Sequence, residues 1–65
     1  MFNKNEFNAM LAKHGMTKAQ LAKLLGMRVD KLYRRLRTGD FLVSEVYKMM
    51  DIFGVAEVYF VFFGD

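Results

Sequence analysis

Four glycines, Gly15, Gly26, Gly39 and Gly54, cut this chain into pieces of about ten to fourteen residues, and no proline interrupts any of them. That spacing suits short helices joined by tight turns. It leaves no room for long strands or a long coiled coil. With 65 residues the chain makes one domain, and a domain this small has a thin margin of stability. Without cysteine it cannot be braced by a disulfide or present a thiolate.

Within the pieces, apolar residues recur at helical spacing. Residues 3–14 carry Phe7, Met10 and Leu11, and Gly15 stops them. Thr17 is a natural N-cap for residues 18–25, since its hydroxyl oxygen can accept a bond from a free backbone N–H. Residues 28–37 hold Leu32 and Leu36 four apart, and residues 43–53 place Val46, Met49, Met50 and Phe53 on one face. Residues 55–63 are ambiguous. Their β-branched and aromatic content favours a strand, while their position after four helices favours a fifth. We expect an all-α fold of four to five short helices in a single domain, with a short helix and an extended tail at the end.

Charge is unevenly spread along the chain. Residues 12–37 hold eight Lys or Arg against Asp30 alone, a balance of +7, while residues 38–65 hold five acids against Lys48, a balance of −4. The basic half suits a polyanion; a solvated surface is the plainer explanation of such an asymmetry. The pattern of residues 18–37 argues against the plainer one. Gly26 offers the positive φ of a sharp inter-helix turn, Ala22 allows close crossing, and Leu21, Leu25, Met27 and Leu32 supply the contacts. Two helices so joined make a helix-turn-helix, whose second helix can enter the DNA major groove.

The run Thr17-Lys18-Ala19-Gln20-Leu21-Ala22-Lys23-Leu24-Leu25-Gly26-Met27, with Leu32, Leu36, Thr38-Gly39 and residues 46–54 beyond it, resembles the lambda-repressor and Cro-like helix-turn-helix family. Short prophage regulators belong to that family, and the resemblance covers nearly the whole chain. It implies a sequence-specific, double-stranded DNA-binding transcription regulator that pairs on a palindromic site and represses by occupying promoter DNA. It also implies that Lys18 contacts phosphate. Two positions depart from the pattern: Arg28 stands where the family usually has a Ser or Thr cap, and Arg35 stands where it often has an aliphatic residue.

The residues alone give a similar picture. With Leu32 and Leu36 turned inward, Arg28, Val29, Asp30, Tyr33 and Arg34 are the candidates for reading bases. Arg can fork onto guanine, Asp can accept from cytosine, and Val can touch a thymine methyl. Thr17, Lys18, Lys31, Arg35 and Arg37 are the phosphate candidates, which would set register. Tyr33 has an equally good alternative, packing its ring on a neighbour. Lys4, Lys13 and Lys48 read as solvated charges, and His14 as a partner for a helix C-terminus.

The aromatic stretch at 59–63 exceeds what one small core can hide, so Tyr59, Phe60, Phe62 and Phe63 are the expected homodimer interface. An antitoxin-like protein-interaction module that uses this stretch, with DNA binding secondary, is the alternative. Scattered carboxylates, a lone histidine and no glycine-rich phosphate loop argue against an enzyme. No cofactor, metal or small-molecule ligand is expected. Nor is a membrane partner, because the apolar residues 52–63 fall short of the ~20 needed to span a bilayer. The lack of a leading apolar stretch and of cysteine suits a cytoplasmic protein.

Overall fold

The computed structural model describes Met1–Gly64, and these residues form five α-helices and no strand. They are α1 (Lys4–Lys13), α2 (Lys18–Leu24), α3 (Val29–Thr38), α4 (Val43–Phe53) and α5 (Val55–Phe63). The ambiguous end of the chain is therefore helical through Phe63, with Gly64 extended. Among the described residues, no helix is long and apolar enough to cross a membrane.

Side chains fix the starts of α1, α2 and α4. The Asn3 side chain accepts from the Glu6 N–H at 3.0 Å and opens α1. Thr17 opens α2 through a reciprocal box: its hydroxyl accepts from the Gln20 N–H at 3.1 Å, and the Gln20 side chain accepts from the Thr17 N–H at 2.8 Å. Arg28 precedes α3 without a side-chain cap, leaving Asp30 in the first turn to favour the dipole. The Glu45 carboxylate accepts from the Leu42 N–H at 2.9 Å at the start of α4.

Two glycines turn the chain around α3. Gly26, at φ 71°, lets the end of α2 reverse into α3. Gly39, at φ 77°, ends α3 in the left-handed region, and a Cβ there would sit 3.1 Å from the Phe2 Cβ. The left-handed backbone favours glycine at position 39, and a side chain there would also crowd Phe2.

The core draws on every helix. Phe7, Met10 and Leu11 of α1 meet Leu21, Ala22 and Leu25, Leu32 and Leu36 of α3, Met49 and Phe53 of α4, and Val58, Val61 and Phe62 of α5. The helices pack as neighbours α2 with α3, α4 with α5, and α1 with α5. The fifth helix therefore closes the fold against the first. Lys13 and His14 at the end of α1 both approach Glu57 near the start of α5, at 3.4 and 3.1 Å. The imidazole hydrogen bond, and then the nearby lysine, hold the Glu57 carboxyl below its ordinary range. The His14 ring also meets Phe53 edge-on, with centroids 5.0 Å apart.

The placement of Phe62 corrects the expectation that it faces a partner. It is 8% exposed, its ring 5.2 Å from both Phe2 and Phe41. Helical periodicity is the reason. Val58, Val61 and Phe62 stand at i, i+3 and i+4 and share the inward face, which leaves Tyr59, Phe60 and Phe63 outside.

Candidate nucleic-acid interface

The faces of α3 follow from its periodicity. Leu32 and Leu36 are buried, and at 100° per residue Arg34 lies roughly opposite them. Asp30, Lys31 and Arg37 lie beside Arg34 on the exposed side. Val29 and Tyr33, 40% and 53% exposed, occupy the flank nearest α2. There they line an open groove of about 470 Å³ together with Thr17 and Lys18 from the start of α2 and Asn8 from α1. The structure thus brings the base-reading candidates Val29, Asp30, Tyr33 and Arg34 onto one solvent-facing surface, with Thr17, Lys18, Lys31 and Arg37 around it.

Arg28 stands at the N-terminal edge of this surface. Its guanidinium lies 3.5 Å from the Asp30 carboxylate, and both side chains are largely exposed. Exposed pairs of this kind are weak and readily exchanged for another partner. Lys18, Lys31, Arg34 and Arg37 form no ion pair among the described residues. Their charges repel one another, with Asp30 the one carboxylate of α3 beside them. The Thr17 oxygen, in contrast, already serves as the cap of α2, so only its hydroxyl proton is left to donate.

Arg35 differs from the other phosphate candidates in being tied to the body of the domain, its side chain 23% exposed. Its Nε and Nη2 donate to the two oxygens of Glu45 at 3.1 and 3.2 Å, a bidentate fork between α3 and α4. Arg35 is three residues beyond the buried Leu32, about 60° round the helix from it, and so lies on the edge of the inward face. Glu45, which sequence reasoning missed, is the one buried charged side chain among the described residues, at 7% exposed. Two signals pointed to this pairing. Arg35 occupies a position where the resembling family often has an aliphatic residue, and Glu45 stands three residues after the start of a helix, where a carboxylate can reach back to the cap.

On α5, Tyr59, Phe60 and Phe63 are each more than half exposed. The Tyr59 ring lies 6.1 Å from Phe60 and 5.6 Å from Phe63, so the three make one aromatic surface. Among the described residues no three of His, Asp and Glu come together in a group that could hold a metal ion. Compared with family models, curated proteins and solved structures, the chain matches none. Any reading of the basic surface rests on its own geometry and charge.

Proposed function

We propose that this chain is a sequence-specific, double-stranded DNA-binding transcription regulator of the phage or mobile-element kind. In this reading α2 and α3 form a helix-turn-helix unit, and α3 lies in the major groove. The observation that carries it is the outward face of α3, where Arg34 stands opposite the buried leucines amid cations without carboxylate partners. A polyanion relieves that repulsion, and a groove-sized helix with mixed Arg, Asp, Val and Tyr can read base edges. Lys18, Lys31, Arg37 and the Thr17 hydroxyl would hold phosphates, while Arg28, Val29, Asp30, Tyr33 and Arg34 would read bases. Occupying promoter DNA is the simplest action for such a small domain, and gives repression.

Two substitutions separate these roles. Arg34→Ala should cost about 1–3 kcal/mol on the preferred site and relax selection at one base pair of each half-site. Lys18→Ala should weaken preferred and random duplexes alike and shallow the salt dependence. Selection from random duplexes, followed by binding titrations of both variants, measures this. Equal weakening of cognate and random DNA by Arg34→Ala would sink the base-reading role.

Pairing through α5 completes the reading. Tyr59, Phe60 and Phe63 form an apolar surface that a two-fold partner can bury, and such an isologous contact matches a palindromic site. The body measures 28 × 24 × 20 Å, so two copies side by side can set their α3 helices about one DNA turn, roughly 34 Å, apart. We expect the wild type to sediment as a dimer, and Phe60→Glu to give a folded monomer with weaker binding to a palindrome. A wild type that stays monomeric at high micromolar concentration and on its DNA refutes the dimer. An aromatic surface engaging a different protein, as an antitoxin-like module would, is the reading that such a result favours.

A further inference from the structure

We infer that Glu45 is a positioning residue for the proposed DNA contact: it fixes the rotation of α3 against α4 and withholds Arg35 from the phosphate backbone. This rests on the DNA-binding reading of α3.

Three observations carry the inference. Glu45 is buried and fully engaged, with one oxygen accepting from both Arg35 Nε and the Leu42 N–H, and the other from Arg35 Nη2. A fork held by both oxygens has one planar geometry, so it defines how far α3 can roll, which a single contact would not. The same carboxylate fixes the first turn of α4, so the roll of α3 is referred to the body of the domain. A roll of α3 would move Arg34, about 100° round the helix from Arg35, relative to the surface that holds Lys18 and Thr17. The pair also disposes of charge. Arg35 is 23% exposed and neutralised, while Arg34 and Arg37 on either side of it in sequence remain exposed. Cations free on every flank would bind any duplex in many orientations. One neutralised on the α4 flank confines the attraction to the reading side.

The test uses the full chain and two single variants. Glu45→Gln keeps an acceptor for the Leu42 N–H but removes the charge that holds Arg35. It should release the guanidinium. Random duplex should then bind roughly fivefold to tenfold tighter at 0.1 M salt, with a salt slope steeper by about one per protomer. The preference for the selected site over random DNA should fall. A merely structural role would leave the salt slope of the folded protein unchanged.

Arg35→Met keeps the argument testable if Glu45→Gln unfolds. Because Arg35 holds no phosphate in the wild type, this variant should bind random duplex with the wild-type salt slope. A slope shallower by about one would show Arg35 to be a phosphate contact and overturn the inference. The tie itself is read without DNA, as slowed solvent exchange of the Arg35 Nε proton in magnetic resonance spectra. Exchange as fast as that of Arg34 would also overturn it. A wild type without salt-dependent DNA binding overturns the functional reading first, and is distinguished because the slowed Arg35 proton persists.

Discussion

Phe62→Ala should strip the fold of a large share of its stability, while Phe60→Ala, two residues away on the same helix, should leave the fold of each protomer intact. Phe62 is buried between Phe2 and Phe41, with the Phe41 ring edge-on to it at an interplanar angle of 85°. Phe2 and Phe41 are themselves 5.5 Å apart, and each also approaches Phe7. Removing the central ring deletes its transfer energy and leaves a cavity that its three aromatic neighbours, Phe2, Phe41 and Phe63, cannot readily fill. Truncations of this kind cost about 3–5 kcal/mol. A chain this short holds roughly 3–10 kcal/mol in total. Phe60 is 60% exposed in the single chain, and its loss should cost the isolated protomer about 0.5 kcal/mol or less, its effect falling instead on pairing. Urea unfolding followed by circular dichroism measures both. Equal midpoints for the two variants would place Phe62 outside the core.

The second large effect is on DNA. If a dimer neutralises roughly 6 to 10 phosphates, the logarithm of its binding constant should fall with the logarithm of salt at a slope of about −5 to −9. Between 50 and 200 mM salt that is a loss of about a thousandfold to a hundred-thousandfold in affinity. Each protomer has the phosphate candidates Lys18, Lys31 and Arg37 without an ion-pair partner among the described residues. Two protomers therefore supply about six such charges without Arg35, the lower end of that range. Fluorescence anisotropy of a labelled duplex across a salt series gives the slope. A flat response would rule out DNA as the partner of this surface.

Much of the architecture was legible because its determinants are local. Thr17 with Gln20 starts a helix, Gly26 and Gly39 reverse the chain, and Leu32 with Leu36 marks the inward face of α3. Each is decided within a few residues. The aromatic tail was not legible, because its face depends on the period. As a strand it would put Phe60 and Phe62 on one side; as a helix it puts Val58, Val61 and Phe62 together. Settling the period requires knowing what the tail packs against, and that includes Phe2 and Phe41, distant in sequence. The tie of Arg35 to Glu45 was not legible for a similar reason. Its position on the helix is computable, but only the packing of α4 brings Glu45 within reach of it.

Asn3 joins the two ends of the chain in a way that restricts which residues position 3 can hold. Its side chain caps α1, and its own N–H donates to the Val61 carbonyl of α5 at 2.7 Å, one of the acceptors a helix end leaves unpaired. The Met1 nitrogen donates to the next carbonyl, that of Phe62, at 2.9 Å. Asp, Ser or Thr at position 3 keeps both bonds. Alanine keeps the α5 bond and loses the cap. Proline loses both, since it has neither the hydrogen nor the acceptor. Variation along this chain is therefore not free to lengthen α1 backwards by a residue. A helix started earlier would replace the extended backbone at Asn3, ending its role as cap and reorienting the peptide that meets α5, so the register of the first helix is tied to the end of the last.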